Sequence, residues 1–380
     1  MRLLTKGLAL TLTMVTATGA RAEVYSITDL GTLGGARSYA YDVNELGQVT
    51  GWSNDGSLTH AFTWENGVMT DLGALDWNYS EGRAINNLGV VAGTGSPQSL
   101  EFSSGSITDL GRLPNTSGSY AYGINDNGQI VGTSFRTSGP NPNRAYLYEN
   151  GVMIDISGGH DAQAFDINNA GQVTGAIYAA EGGGNSYSHA YIWDQGMMTY
   201  IDVLPTGGNR FIGMAGLGIN SSGQVTGWSS AGEGQDIHAF LFDGAGVIDL
   251  DPLGTKYSYG NGINDLGQVV GWANNVEYVN NASRAFLFDN GLATDLNSLI
   301  DPLAGWTLLD AQAINNKGQI TGYGINADGF GHAYLLTPIV SAGVPEPASW
   351  AMMIVGFGCV GGVLRRRSKT ASGAGAVVPV

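Results

Sequence analysis

The stretch INDLGQVVG at residues 263–271 decides the fold, because variants of it recur along most of the chain. Seven segments follow the pattern Ile-Asn-x-x-Gly-Gln-Val-x-Gly, three of them in full and four with one exchange each, at spacings of 39 to 52 residues. An Asn-x-x-Gly segment between two apolar runs predicts a tight turn, since glycine adopts a positive φ without steric cost. The repeated asparagines are Asn44, Asn86, Asn125, Asn168, Asn220, Asn264 and Asn315, each followed three residues later by glycine.

A second block follows each copy of the first and resembles HAFTWENGVMTDLG at residues 60–73. It recurs from Arg144, His189, His238 and Arg284, and in degraded form at residues 100–110. Its Asn-Gly turn lies between runs of β-branched and aromatic residues, which predicts a second hairpin. Each repeat therefore contains four short strands in about 45 residues, which is the size of a propeller blade. In chain order we call them a (ending at Ile-Asn), b (Gln-Val-x-Gly), c (Ala-Phe-x-Trp) and d (Met-Thr-Asp-Leu).

The repeat is split between the two ends of the domain. The last copy stops after strand c, at residues 332–336, and the missing strand d stands at the start, at residues 25–31. Pairing these segments would close a ring and remove two open sheet edges. The sequence therefore predicts an all-β domain, a seven-bladed β-propeller closed by an N-terminal strand in the last blade, with a parallel β-helix as the alternative.

These repeats resemble the HAF repeat of bacterial extracellular proteins, through His60-Ala61-Phe62 and His238-Ala239-Phe240. The resemblance covers most of residues 25–336. The resemblance implies an extracellular location but indicates almost nothing about biochemical activity. The His position exchanges to arginine at Arg144 and Arg284, and the degraded copy carries Leu100.

The N-terminus has the pattern of a secretory signal peptide over residues 1–22. Arg2 and Lys6 precede a short apolar run, and Ala20 and Ala22 form a small-x-small cleavage site. The predicted mature chain starts at Glu23, and the propeller is expected over residues 23–338.

A second apolar segment, residues 348–364, stands near the C-terminus and is about long enough to cross a membrane. The cations Arg365, Arg366 and Arg367 follow it directly, and such clusters stay on the cytoplasmic side. We expect a linker at 339–347, one transmembrane helix at 348–364, and a cytoplasmic basic tail at 365–380.

The linker contains Pro345-Glu346-Pro347. With the apolar segment and the arginine cluster, this closely resembles the PEP-CTERM sorting signal of Gram-negative bacteria. The resemblance implies export through the inner membrane, an exosortase-type membrane protease as partner, a cell-surface or extracellular destination, and an association with exopolysaccharide and biofilm. The 13 residues after the cluster are a departure from the family pattern. A plain single-pass anchor is the alternative.

Charge and cysteine content limit the classes of binding partner and of chemistry that this chain can have. The chain has a net charge of −16; without the seven cations and one anion of the terminal signals, the domain is near −22. Such a field repels nucleic acid and anionic lipid. Simple solubility explains the charge equally well. The only cysteine, Cys359, lies in the apolar segment, so the domain has no disulfide and no thiolate chemistry.

The histidines and aspartates follow the repeat period, which favours structural roles. His60, His189, His238 and His332 share one repeat position, too far apart around a ring to hold one metal ion. His160 beside Asp161 lacks a placed nucleophile. The recurrent aspartates are expected to bond within each blade, and calcium-loop patterns are incomplete. We predict no metal, no cofactor and no catalytic residue.

The b–c and d–a connections vary in length and are long at residues 132–144, 175–189 and 297–311, whereas the a–b and c–d turns are short and nearly fixed. Binding residues concentrate on variable loops that a rigid scaffold holds. Aromatic residues there could stack on sugars or a protein, or could simply fill the loops. The candidates are Trp77, Tyr79, Phe135, Arg136, Tyr178, Tyr187, Arg210, Phe211, Tyr257, Tyr259, Tyr278 and Trp306.

These features predict an exported surface or matrix protein, a non-enzymatic propeller that binds glycan or protein. The alternative is an extracellular carbohydrate-active enzyme, a lyase or hydrolase, that uses carboxylates on the variable face. A purely structural role stays open.

Overall fold

The computed structural model describes residues 24–75, 78–136, 143–181, 185–202, 204, 213–231, 236–275 and 283–339. The side chains of 179–181 and 185–187 are not described. The predicted signal peptide, membrane segment and basic tail, and residues 340–347 of the predicted linker, lie outside the described residues.

The described residues form 28 β-strands and three short 3₁₀ helices. The strands are β1 (Tyr25–Asp29), β2 (Ser38–Val43), β3 (Val49–Asn54), β4 (Thr59–Glu65), β5 (Val68–Gly73), β6 (Glu81–Ile85), β7 (Val91–Gly95), β8 (Gln98–Ser103), β9 (Ser106–Asp109), β10 (Gly118–Ile124), β11 (Ile130–Phe135), β12 (Asn143–Glu149), β13 (Val152–Asp155), β14 (Asp161–Ile167), β15 (Val173–Glu181), β16 (Asn185–Asp194), β17 (Met197–Tyr200), β18 (Met214–Ile219), β19 (Val225–Ala231), β20 (Asp236–Phe242), β21 (Val247–Asp249), β22 (Tyr257–Ile263), β23 (Val269–Asn274), β24 (Arg284–Asp289), β25 (Leu292–Asp295), β26 (Thr307–Ile314), β27 (Ile320–Ile325) and β28 (Gly331–Pro338). The 3₁₀ helices are Pro252–Gly254, Leu296–Ser298 and Pro302–Ala304. No helix in these ranges is long and apolar enough to cross a membrane.

The strands form seven four-stranded antiparallel units, which we call blades 1 to 7. Blades 1 to 6 are β2–β5, β6–β9, β10–β13, β14–β17, β18–β21 and β22–β25. Blade 7 consists of β26, β27, β28 and β1, so the opening strand completes the last sheet. Ile27 lies opposite Leu336 in this antiparallel pairing, as the split repeat predicts.

The repeated asparagines join the blades in a closed ring of hydrogen bonds. The Nδ2 of Asn44 donates to the backbone oxygen of Asn86 at 2.9 Å. The same bond links each asparagine to the next blade. It returns from Asn315 to the oxygen of Asn44 at 2.9 Å. The first strand of every blade, which ends at this asparagine, is therefore the inner strand next to the axis.

Each asparagine also holds its own turn. In blade 5, the Oδ1 of Asn220 accepts from the backbone nitrogens of Ser222 and Gln224 at 3.1 and 3.0 Å. Its Nδ2 donates to the Oε1 of Gln224 at 2.7 Å and to the oxygen of Asn264 at 3.0 Å. Asn220 is 4% exposed, so these bonds satisfy polar groups that water does not reach.

The last glycine of the repeat permits a close approach between strands. The inner strand carries a bulge, and in blade 5 the pairing shifts between Gly216 and Gly218 opposite Gly227. A Cβ on Gly227 would lie 1.9 Å from the backbone oxygen of Ala215. The other six blades place their glycine the same way, at 1.8 to 2.1 Å. Any side chain at this position would clash with the facing strand, and this explains the last glycine of the repeat, which lies outside the turn.

The hydrophobic core lies between neighbouring blades. One cluster joins Leu147 of blade 3 to Ile167 and Tyr191 of blade 4. Another joins Phe62 of blade 1 to Leu335 of blade 7, which seals the seam of the ring. Sheet faces therefore pack on sheet faces all around the axis.

Candidate functional site: the loop end of the central channel

The two ends of the propeller axis differ. We call the end with the a–b and c–d turns the turn face, and the end with the b–c and d–a connections the loop face. Inner strands run from the loop face to the turn face, where the asparagine ring lies. At the turn face the ring asparagines and their neighbours surround a pocket of about 200 Å³.

Two side chains of each inner strand lie between the loop face and the asparagine ring. One stands five residues before the asparagine, and the other stands three before it, on the unpaired position of the bulge. A bulge re-aims the side chain it carries. In blade order the pairs are Tyr39 and Tyr41, Glu81 and Arg83, Tyr120 and Tyr122, Gln163 and Phe165, Ala215 and Leu217, Tyr259 and Asn261, and Asp310 and Gln312.

A cavity of about 460 Å³ opens beside the inner strands of blades 2 and 3. Small-molecule sites usually enclose about 300–1,000 Å³. Its lining consists of Tyr79, Glu81, Arg83, Thr94, Ser96, Tyr120 and Tyr122. We call it the blade 2–3 cavity.

The cavity coincides with a gap in the repeat. The residue after the close-approach glycine is aromatic in blades 1, 5, 6 and 7, where Trp52, Trp228, Trp272 and Tyr323 stand. Trp52 and Trp272 stack on the inner-strand tyrosine of the same blade, with planes 7° and 15° apart. Blades 2, 3 and 4 carry Thr94, Thr133 and Ala176 instead. The absence of an aromatic ring at this position leaves the space that the cavity occupies.

The cavity contains an ion pair between Glu81 and Arg83. The Oε1 of Glu81 accepts a hydrogen bond from the hydroxyl of Tyr79. The Arg83 guanidinium carbon lies 4.1 Å from the ring centroid of Tyr41, in cation–π geometry. Burial, followed by the Glu81 bond, raises the pKa of Tyr79, so this phenol stays protonated and donates. Burial raises the pKa of Tyr41 to about 12.

Two buried polar atoms of this cavity have no partner within the described part of the chain: the Nε of Arg83 and the Oγ1 of Thr94. The Oε2 of Glu81 accepts no hydrogen bond of regular geometry there, but it faces the Nη2 of Arg83 in the ion pair. Glu81 is 7% exposed and Thr94 is 6% exposed. Unmet hydrogen bonds at such burial cost about 1–3 kcal/mol each. Their grouping in one cavity marks a place where a ligand would supply what the protein lacks.

A second polar cluster extends the channel wall through blades 6, 7 and 1. Asp310 accepts from the Tyr39 hydroxyl at 2.5 Å, from the Gln312 amide at 2.8 Å and from the Asn261 amide at 2.9 Å. Burial raises the pKa of Asp310 to about 6, against the lowering effect of these donors. Both carboxylate oxygens are occupied, so the cluster is a satisfied support for the wall.

Nearer the asparagine ring, two aspartates occupy the position two residues before it. Asp42 accepts from the backbone nitrogen of Ile85 at 2.8 Å, and Asp166 accepts from that of Ile219 at 2.9 Å. Each carboxylate thus holds the next blade. Removal from water raises their pKa values to about 6 and about 7, and the charge of Asp42 adds to the shift of Asp166.

The structure places the predicted loop aromatics in different surroundings. Tyr79 lines the cavity, and Phe135 stacks on Tyr120 with centroids 4.8 Å apart. Tyr259 is an inner-strand residue that stacks on Trp272. Trp306 packs against the core and lies edge-on to the buried Tyr334, so it fills its loop.

Three of the remaining candidates, Tyr178, Tyr257 and Arg136, are not among the residues that line the cavity. The long loop predicted at residues 175–189 is mostly strand, because β15 runs to Glu181 and β16 begins at Asn185. Tyr178 and Tyr187 therefore lie in strands; Tyr178 donates to Gln163 at 3.1 Å. Tyr257 begins β22 and is half-buried, and the Nε of Arg136 has no hydrogen-bond acceptor among the described residues. Trp77, Arg210, Phe211 and Tyr278 lie outside the described residues.

The repeated histidines have structural partners. His60, His238 and His332 contact Asp71, Asp249 and Asp29 at about 3 Å. Arg144 and Arg284 pair with Asp155 and Asp295 from the same position. In blade 2 this position holds Gln98, which donates to Asp109 at 2.7 Å, and not Leu100. The aspartates also bond backbone nitrogens in their blades, as expected. Among the described residues no cluster could hold a metal ion.

Sequence reasoning missed Glu81, Arg83, Thr94, Tyr120 and Tyr122, because it looked for a site on the loops. The signal that could have found them is the exchange of Trp or Tyr for Thr or Ala in three consecutive repeats. The same alignment shows a charge pair, Glu81 and Arg83; Asp310 is also acidic at the Glu81 position, but Arg83 is the one cation at its position in the seven repeats.

The fold and the axial site define a β-propeller, and comparison with known proteins agrees. The chain is similar to the β-propeller domain of the Trilobed protease from Pyrococcus furiosus, with 8% identity, coverage of 79% of this chain and 93% of that one, and a TM-score of 0.51. It is also similar to the extracellular domain of a putative one-component system from B. thetaiotaomicron, with 9% identity, coverage of 83% and 40%, and a TM-score of 0.49. YCF48 bound to D1 peptide shows 12% identity, coverage of 84% and 98%, and a TM-score of 0.47.

Residues 155–329 match a family described as a protein of unknown function, DUF3466. The match runs from the end of blade 3 to the β27–β28 turn of blade 7. No curated protein matches the chain.

Proposed function

We propose that this chain is an exported, non-enzymatic propeller that binds a glycan at the loop end of its central channel. The observation that carries the proposal is the blade 2–3 cavity, where unsatisfied polar atoms stand among tyrosine rings. Rings that stack and polar groups that converge are what a sugar ligand requires. A protein ligand is the competing outcome.

The test uses site-specific blocking of each end of the channel. In a Cys359→Ser background, Ser96→Cys places one thiol at the cavity and Ser222→Cys places one at the turn face; both positions are exposed. Each full-length variant is labelled with a bulky maleimide and applied to a glycan array. We expect the label at position 96 to abolish binding and the label at 222 to leave it unchanged. Absence of any glycan binding, together with capture of a protein ligand that the position 96 label blocks, would replace glycan by protein.

An enzymatic role has one observation in its favour. Glu81 and Asp310 occupy the same inner-strand position in blades 2 and 7, so two acids belong to the wall at the loop end of the channel. However, Asp310 is saturated with donors, and Glu81 is bonded to Tyr79 and paired with Arg83. A hydrolase or lyase needs an acid and a base free to exchange protons. Incubation of the protein with a bound oligosaccharide, followed by chromatography, should show no cleavage product; any product that Asp310→Asn abolishes would establish the enzyme.

The sorting part of the proposal rests on the sequence resemblances described above. We propose that HAF-type repeats form the exported body and that the Pro345-Glu346-Pro347 signal brings the chain to an exosortase-type protease of a Gram-negative inner membrane. The final location would be the cell surface or the exopolysaccharide matrix. Mass spectrometry of the protein from medium and membrane checks this. A C-terminus near Pro345 supports processing, and a chain that keeps Arg367 in every fraction contradicts it.

A further inference from the structure

We propose that the blade 2–3 cavity is a subsite for one neutral sugar unit, held through adjacent hydroxyl groups by Glu81, Arg83 and Thr94. This inference rests on the proposed function and narrows it to a ligand class and to three residues. Two independent features support it: the unsatisfied atoms and the gap in the aromatic repeat.

The hydrogen-bonding groups fit hydroxyls. The Nε of Arg83 is a donor without a partner, and the Thr94 hydroxyl can donate or accept. The Oε2 of Glu81 faces Arg83 in the ion pair and keeps a lone pair that can accept a further hydrogen bond. A sugar hydroxyl both donates and accepts, so one hydroxyl can donate to Glu81 while it accepts from Arg83. A carboxylate ligand could accept from Arg83 but could not donate to Glu81.

Charge also favours a neutral ligand. Glu81 and Arg83 form an ion pair, so the cavity has no net charge from its own side chains. The chain as a whole carries −16, and a field of that sign lowers the local concentration of anions. A uronate or a phosphate would therefore meet repulsion without a compensating free cation.

The cavity walls supply flat apolar surface. Tyr120 and Tyr122 are neighbours with centroids 6.5 Å apart, and Phe135 stacks behind Tyr120. The Tyr122 ring contacts Phe165 of blade 4 at 5.5 Å, which holds it in place. The C–H faces of a pyranose ring can lie against such rings while its hydroxyls point to Glu81 and Thr94.

Thr94 is opposite Glu81 across the β6–β7 pair, as Trp52 is opposite Tyr39 in blade 1. The variant Thr94→Trp therefore introduces the residue that blades 1, 5 and 6 carry and fills the cavity. We expect it to fold with unchanged or higher thermal stability and to lose sugar binding. Thr94→Val, which removes only the unsatisfied hydroxyl, should also keep its stability and weaken binding.

The experiment measures binding of full-length protein to neutral and uronate-containing oligosaccharides by glycan array and then calorimetry. Glu81→Gln and Thr94→Val should each weaken neutral-sugar binding about tenfold or more. Deoxy analogues that lack one hydroxyl of the bound pair should lose a similar factor. Glu65→Gln, an exposed turn-face substitution of the same chemistry, is the matched control and should bind as the native protein does.

The outcomes separate the two proposals. Binding of neutral sugars that Thr94→Trp leaves intact, in a folded protein, would overturn the subsite while the glycan-binding function stands. Binding confined to uronates would overturn the neutral ligand class. Absence of binding to every glycan would overturn both.

Discussion

The two ends of the channel are built from the same seven strands, yet they differ in chemistry. At the turn face every repeat places an asparagine in the same role, and each asparagine bonds the next blade. At the loop end the inner-strand residues change from blade to blade, from Tyr39 to Glu81 to Ala215. The turn face, whose asparagines have all their hydrogen-bond partners, maintains the ring. The loop face, where polar atoms have unmet hydrogen bonds, is available to a ligand.

The difference teaches that repetition marks the scaffold and that its interruption marks the site. If this is correct, substitutions at repeated positions should cost stability, whereas those at the cavity should cost binding alone. The following predictions test that division, beginning with the largest effect.

Gly227→Ala should be the most damaging single change. Its Cβ would lie 1.9 Å from the Ala215 oxygen, and the clash is with backbone, which cannot move without breaking the bulge. We expect a loss of about 3 kcal/mol in the free energy of unfolding, measured in urea. Gly246→Ala is the control, since no atom lies within 4 Å of its Cβ. Equal stability of the two variants would show that the close approach is dispensable.

Asn220→Ala should cost about 2–3 kcal/mol, because it removes the bond to the next blade at the Asn264 oxygen and leaves two turn nitrogens without partners. Ser222→Ala removes a side chain of the same exposed turn that makes no bond across blades and should stay within about 0.5 kcal/mol of the native protein. Chemical denaturation compares the two. An Asn220→Ala protein as stable as Ser222→Ala would argue against the ring.

Asp166→Asn tests the charges inside the channel through pH. The pKa of Asp166 is raised from 3.8 to about 7, so the folded state binds more protons than the unfolded state between these values. The free energy of unfolding should therefore fall as pH rises from 4 to 7, by about 1–2 kcal/mol after allowance for partial exposure.

Asp166→Asn removes this titration, so its stability should change less over that range. The exposed Asp243→Asn, whose pKa is lowered, should leave the slope between pH 5 and pH 7 unchanged. A native protein whose stability rises through this window, with Asp166→Asn rising equally, would contradict the assignment.

His238→Ala should have the smallest effect, at most about 1 kcal/mol, since Asp249 is 41% exposed. The hydrogen bond to Asp249 raises the pKa of His238 above 6.5. Its contribution should be complete below pH 6.5 and vanish as pH rises through the raised value. His238→Arg should keep the stabilising ion pair with Asp249 at all these pH values, as Arg284 pairs with Asp295. Chemical denaturation of the native protein and of each variant at pH 5.5 and pH 9 shows whether the stabilisation is lost at high pH with histidine and retained with arginine.

The repeat alone predicts much of the fold. Strand positions, the positive φ of the turn glycines such as Gly267, and the pairing of β1 with β28 all follow from period and pattern. The hydrogen bond from Asn220 to the next blade could not be predicted, because the sequence of one repeat does not show which acceptor the next repeat places beside it. Gly227 was interpreted as part of a strand motif, since a bulge on the facing strand leaves no sequence signature.

The cavity was missed for a different reason. Thr94 is informative only in comparison with Trp52 and Trp272, and only when both are known to face the inner strand. Glu81 and Arg83 stand two residues apart, which in a regular strand puts both on one side. The bulge alters this geometry, and that depends on the three-dimensional pairing.

The pairing of β1 with β28 has a consequence for biogenesis. Strands about 300 residues apart must meet, and such a contact forms late, because the loop between them must first be ordered. A polypeptide that emerges amino terminus first would hold β1 as an unprotected edge until β26–β28 arrive. Chaperones that shelter lone strands would then govern the yield, and a circular permutant that starts at β2 and appends β1 after β28 should mature faster than the native order.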